Sequence, residues 1–306
     1  SVDGRAPGGA AKTTTFKVPR TSWGESDLQG VWRNDTPTPM ERPAKFGTRE
    51  LLTDEELAAE TKAAFENRAK VERGDVDAPR EGDVGTYTRF WQDPGRPPRM
   101  YNRTSLIVDP PDGRIPYTAE GQLMEDRATA RYGKGPWNSY LDIDTGERCL
   151  SDGLTTTMFR DTAGGFKEII QSPGYVLIQQ EQFRDRRIIR LDNQPRRTAI
   201  PQWYGQSRGR WEGDTLVVET AQFIDRPDWE WNNIYQRPTD TLRLVERWTR
   251  VDPETIEYRM TVEDPKTFTR PWSVLVPLSK TSNTTRLYEY ACHEGSYSVE
   301  NTLAVA

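Results

Sequence analysis

From Phe166 onward the chain is a train of short segments, each rich in β-branched and aromatic residues and each cut off by Gly, Pro, Asp or Asn. "FKEIIQS", "GYVLIQQEQF", "RRIIRLD", "GRW", "DTLVVETAQF", "DTLRLVERWTRV", "ETIEYRMTVED", "WSVLVPLSK" and "RLYEYACH" follow one another with nothing helical between them. Such segments read as strands of an antiparallel meander, closed as a barrel or folded as a sandwich. Their short connections argue against parallel crossovers, which need about a dozen residues or more. The expectation is a mainly β protein built on an antiparallel β-barrel.

The first half of the chain reads differently. Residues 1–26 are expected to form an extended arm, because the first 22 have no periodicity and are rich in Gly, Ala, Thr and Pro. "DLQGVWRN" supplies a first strand. Thr53 and Glu56 make a capping box for a helix over "DEELAAETKAAFENRAKVER", which Gly74 ends. Its stripe of Leu57, Ala64 and Phe65 is thin, so the helix belongs on a surface. "TSLIVDPPDGRIPYT" reads as a hairpin around Pro110-Pro111-Asp112-Gly113, and "AEGQLMEDRATARYG" as a short helix. The organisation is then a single barrel domain, 27–306, with a long, partly helical insertion at 35–165 that covers one end.

Composition excludes several classes of function. The net charge of −5 provides no general surplus of Lys and Arg for nucleic acid. No apolar run approaches the ~18 residues of a membrane span. One His and two distant Cys cannot build a zinc site, and no EF-hand loop is present, so no metal is expected. The absence of a P-loop and of a G-x-G-x-x-G after a strand argues against a nucleotide cofactor. Cys149 and Cys292 are either one disulfide of an exported protein or two buried thiols. The chain starts at Ser1 with no apolar leader, as expected of a processed or trimmed protein.

Gly205-Gln206-Ser207-Arg208-Gly209 matches the G-x-S-x-G of serine hydrolases, and His293 follows in their chain order. A nucleophile elbow requires a strand, a sharp turn and then a helix. Here Ser207 is followed by "RGRW", "EGD" and "TLVVET", which is a β-hairpin. The glycines therefore read as backbone positions in a turn and a strand bend.

Gly30-Val31-Trp32 resembles the G-x-W signature of lipocalins and related calycin barrels. More of the chain is similar to a large family of secreted bacterial proteins with no settled activity. "DLQGVW", "SRGRWEGDTLVVET" and "YEYACHEG" carry that resemblance. It implies export to the periplasm or beyond and a lipocalin-like barrel, and it implies no reaction. Family members often read G-D-S where this chain has Gly205-Gln206-Ser207, and some carry His in place of Arg210.

Strand alternation then nominates candidate residues. One face of "RLYEYACH" is Leu287, Glu289, Ala291 and His293; one face of "TLRLVERW" is Leu242, Leu244, Glu246 and Trp248. In "GYVLIQQEQF" one face is Tyr175, Leu177, Gln179, Glu181 and Phe183. If these faces line the barrel, it holds Glu181, Glu246 and Glu289 with His293 near one end. Buried carboxylates are either paired with arginines, such as Arg190, Arg243, Arg247 or Arg259, or raised in pKa for acid–base work. Glu289 and His293 lie ~13 Å apart in a straight strand and act separately. Tyr204, Arg208, Arg210, Trp211, Trp231 and Tyr235 form a candidate mouth for an aromatic or sugar ligand. Two functions follow. One is a cofactor-independent acid–base enzyme (lyase, hydratase, isomerase or cyclase) acting on a small, partly apolar substrate. The other is a non-catalytic exported carrier of a small ligand.

Overall fold

The train of β segments closes on itself in the computed structural model, which describes residues 16–34, 36–73, 101–131, 136–143, 145–151, 153–159, 165–192, 200–225, 235, 237–281 and 285–304. Ten strands are described: β1 (Gly30–Arg33), β2 (Ile107–Asp109), β3 (Phe166–Ser172), β4 (Tyr175–Gln180), β5 (Arg186–Arg190), β6 (Gln206–Glu212), β7 (Thr215–Ala221), β8 (Arg243–Asp252), β9 (Thr255–Glu263) and β10 (Trp272–Lys280). They run β1-β3-β4-β5-β6-β7-β8-β9-β10 around the sheet, and pairing of Trp32 and Arg33 with Lys280 and Ser279 joins β1 to β10. The short β2 adds to the remaining edge of β10 through Ile107 and Asp109. The fold is thus a closed barrel of nine strands with an accessory strand.

The barrel is mixed rather than purely antiparallel. β5 and β6 run parallel, with Arg190 opposite Arg208. Residues 191–205 connect them, and that is long enough for the crossover a parallel pair needs. Two further expectations are corrected. The 107–117 segment is not a hairpin, because only its first arm is a strand and that arm pairs with β10. "RLYEYACH" is not a strand either. By the time the chain reaches it, β9, β1 and β2 already occupy the edges of β10, and no free edge remains for it there.

Alternation decides what fills the interior. Trp32, Ile169, Val176, Ile178, Ile189, Val218, Trp248, Tyr258, Met260 and Val274 are buried and pack as one core. A barrel of about eight strands is just wide enough for side chains to fill it, and three tryptophans with Tyr258 do so here. Near one end the interior turns polar, with Lys167, Gln180, Arg187, Thr220 and Glu246 buried.

Helix α3 (Gly153–Phe159) covers that polar end with all seven of its residues buried. Asn34 Nδ2 donates to the carbonyl of Met158 at 2.9 Å, and Gln180 Nε2 donates to Thr157 Oγ1 at 2.6 Å. The Phe159 ring packs 6.0 Å from that of Trp272. The segment before β1 covers the opposite end: Leu28 is buried, its N–H donates to Gln171 Oε1, and Arg250 Nη1 donates to the Asp27 carbonyl.

The remaining helices lie outside the barrel. α1 (Asp54–Arg73) carries the expected capping box, with Glu56 N–H on Thr53 Oγ1 at 3.2 Å and Thr53 N–H on Glu56 Oε2 at 2.8 Å. α2 (Ala119–Arg131) is the expected short helix, and α4 (Ser298–Ala304) follows the C-terminal segment. Among the described residues no helix is long and apolar enough to cross a membrane.

Candidate functional site at the parallel seam

The parallel pair is the weak point of the barrel wall. β6 matches β7 along its whole length, from Gln206–Ala221 to Glu212–Thr215, whereas it meets β5 at one bridged pair. A cleft of about 460 Å³ opens at this seam. Arg186, Ile188 and Arg190 reach it from the outer face of β5, and Arg208 from the outer face of β6. Arg187 and Ser207 reach it from the inner faces, and Tyr175 and Tyr204 supply aromatic walls.

The G-x-S-x-G residues build one side of this cleft. Gly205 has φ +59°, and a Cβ there would stand 2.8 Å from the Ala221 carbonyl oxygen. A Cβ on Gly209 would stand 2.8 Å from both Ile189 Cγ2 and Leu191 Cδ2. Both glycines are thus demanded by backbone geometry and close packing. Ser207 lies within β6, in a β6–β7 hairpin, and no helix follows it. Its Oγ is 2.8 Å from Thr220 Oγ1 and accepts from Arg187 Nη2 at 3.1 Å. Neither neighbour is a base able to activate a serine.

Behind the seam sits a buried ion pair. Arg187 Nη1 donates to Glu246 Oε1 at 3.0 Å and Nη2 to Oε2 at 2.5 Å, with side chains 2% and 0% exposed. Tyr258 Oη donates to Oε1 at 3.0 Å, and Thr220 Oγ1 to Oε2 at 3.4 Å. A bidentate pair with both remaining oxygen sites served is the arrangement a buried charge requires. Burial works against the Arg187 cation, but the adjacent Glu246 outweighs it and holds the guanidinium above its ordinary value. Burial and the same carboxylate also push the Tyr258 phenol well up.

At the α3 end, Tyr204 turns its hydroxyl inward and donates to Asp185 Oδ2, which also accepts from Ser151 Oγ at 3.4 Å. Burial raises the Asp185 carboxyl to about 6, against the opposing pull of these two hydrogen bonds. Burial and the Asp185 charge raise Tyr204 well above the ordinary phenol value, so its ring stays neutral. A carboxyl poised near neutrality, linked by one hydrogen bond to the hydroxyl of a tyrosine that lines the cleft, is equipped for proton transfer.

The structure redistributes the residues nominated from sequence. Glu246 is inside the barrel as expected, but its partner is Arg187. Arg190 instead pairs with Asp192, and Arg247 with Glu212. The inward face of β4 is Val176, Ile178 and Gln180, opposite to the face chosen above. Both faces are apolar enough to bury, and a one-residue slip exchanges them. Glu181 therefore lies past the strand end, where its Oε2 accepts the Tyr288 N–H at 3.0 Å and burial raises its carboxyl.

Glu289 and His293 are exposed and do not enter the barrel. Glu289 pairs with Arg184, and His293 sits in a turn. Arg210 is exposed and bound to Glu212 and Glu219. Trp211 packs against the core, and Tyr235 is buried against Phe159 and Trp272. Trp231 lies outside the described residues. Of the described residues of the expected mouth, only Tyr204 and Arg208 line the cleft.

Sequence reasoning missed Asp185 and Arg187. The signal for Arg187 was its place two residues before Ile189 on an alternating strand. Asp185 carried none, because its environment is made by Ser151 and Tyr204 from distant parts of the chain. Cys149 and Cys292 are disulfide-bonded. Among the described residues no three His, Cys, Asp or Glu side chains gather as a cation site. No protein-family model matches the chain, and neither does any curated protein or solved structure.

Proposed function

We propose that the protein is an exported acid–base enzyme acting on a small molecule held in the seam cleft. The reaction is a cofactor-independent elimination, hydration, isomerisation or cyclisation. One observation carries the reading: Tyr204, whose ring lines the cleft, donates its hydroxyl to a carboxyl that burial brings to about 6. The substrate proton passes to Tyr204 Oη as the hydroxyl proton moves to the Asp185 carboxylate. The electron pair left on the substrate expels a leaving group or shifts a double bond, and the proton returns along the same path. Tyr204 never needs to be a free phenolate, so its raised pKa is no obstacle. Export is supported by the disulfide, which suits an oxidising compartment, and by the resemblance of three segments to secreted bacterial proteins.

A non-catalytic carrier using the same cleft is the second reading. Pairing of Glu246 and Glu289 with arginines favours it, since those carboxylates are then structural. The barrel interior is filled by side chains, so either function uses the seam and not a central cavity.

The test is a metabolite-library screen read by mass spectrometry with wild type, Asp185→Asn and Tyr204→Phe. Turnover by wild type should fall by about 10²–10⁴-fold in each variant, with the barrel still folded by circular dichroism. The wild-type rate should rise with pH through about 6, as Asp185 gains its charge. Undiminished turnover by Asp185→Asn would remove the relay. No turnover of any compound would leave the carrier.

A further inference from the structure

The cleft has a charge character that the acid–base reading does not use. Among the described residues its lining contains four arginines, Arg186, Arg187, Arg190 and Arg208, and no carboxylate. Glu246 neutralises Arg187 from the barrel interior, and Asp192 holds Arg190. Arg186 is exposed and has no ion pair among the described residues. Arg187 Nε is buried with no acceptor among the described residues. Beside these cations stand Tyr175, Ile188 and Tyr204, with Ile188 66% exposed. An exposed apolar side chain on a strand, next to clustered guanidinium groups, offers a flat body and a charged head at once.

We infer that the seam cleft takes a small oxyanion, a carboxylate or a phosphate, carried on a flat, partly apolar body. This inference rests on the seam cleft being the functional site. Guanidinium groups bind such oxyanions through paired N–H donors, and exposed Arg186, with no ion pair among the described residues, keeps its full charge for one. Tyr175 and Ile188 cover the apolar body, and the anionic head meets Arg186 and Arg208. In the acid–base reading this orientation fixes which substrate proton faces Tyr204.

The probes are benzoate and phenyl phosphate, with benzyl alcohol as the neutral control, titrated calorimetrically into the full chain. At least one anion should bind at about 1 mM or tighter, and benzyl alcohol should not. Arg186→Gln and Arg208→Gln, both confirmed as folded, should each weaken binding about tenfold or more, and added salt should weaken it in wild type. Preference for benzoate assigns a carboxylate ligand; preference for phenyl phosphate assigns a phosphate. Absence of binding by both anions, equal binding of benzyl alcohol, or undiminished binding by both arginine variants would each overturn the inference. Turnover of a neutral compound that depends on Tyr204, without anion binding, would sink this inference and leave the enzyme reading intact. Anion binding without any turnover would do the reverse.

Discussion

At the scale of single residues, half-buried Asp185 and fully buried Glu246 are held by different partners. Asp185 is raised to about 6 from an ordinary 3.8. Between those values the folded protein holds more protons than the unfolded chain, so this group makes stability fall as pH rises from about 4 to about 6. Urea midpoints across that range should decline in wild type relative to Asp185→Asn. Parallel curves would show that the carboxyl is not perturbed. Glu246 is held by the Arg187 guanidinium. Glu246→Ala leaves Arg187 buried without its counter-ion and should cost about 3–5 kcal/mol in urea denaturation. Replacing both, with Arg187→Met and Glu246→Leu, should recover much of that loss, because a well-packed apolar pair avoids the desolvation of two ions. His293, exposed in a turn, provides the contrast: His293→Ala should change stability by less than about 0.5 kcal/mol and leave any activity intact.

At the scale of elements, the decisive feature is the β5–β6 seam. Gly209 lets β6 approach Ile189 and Leu191, and the strand pair then opens into the cleft. Gly209→Ala should overpack this contact and cost about 1–3 kcal/mol in thermal or urea unfolding. A neutral Gly209→Ala would mean the two strands have room to spare there. β8 shows how much of an element was legible: its inward face of Leu244, Glu246 and Trp248 was read correctly, because alternation along ten residues leaves little choice of register. β4 was read on the wrong face. It is six residues long and apolar on both sides, so only its pairing with β3 and β5 decides the register.

At the scale of the molecule, the C-terminal segment is held across the outside of the barrel instead of entering it. The Cys149–Cys292 bond, the Arg184–Glu289 ion pair and the hydrogen bond from Tyr288 to Glu181 tie it beside α3 and the β4–β5 connection. The bond spans 143 residues. Chain-entropy reasoning puts its contribution at roughly 4–5 kcal/mol. Cys149→Ser should lower the unfolding free energy by several kcal/mol and speed hydrogen exchange in residues 285–293 before the barrel strands are affected. Uniform acceleration of exchange would place the bond's effect on the unfolded chain alone.

The sequence by itself determined that this chain is mainly β, a train of short strands after a partly helical first half; that the train closes as a barrel instead of folding as a sandwich is settled by the pairing of β1 with β10. Local preferences, alternation and turn residues act within a few positions of one another, and they are all visible in one dimension. The capping box of α1, the G-x-S-x-G hairpin and the inward face of β8 belong to that level. What only the tertiary structure decided is which strand closes the barrel, which neighbours run parallel, and therefore where the wall opens. β1 claimed the edge of β10, so "RLYEYACH", with the His293 and Glu289 it carries, was left outside. The 191–205 connection allowed β5 and β6 to lie parallel, and their single bridged pair made the cleft. Burial by segments far apart in sequence then set the charge state of Asp185 and chose Arg187 over its outward-facing neighbours as the partner of Glu246. Those choices are competitions for a limited number of strand edges and for one enclosed volume, and their outcome exists only once the whole chain is in place.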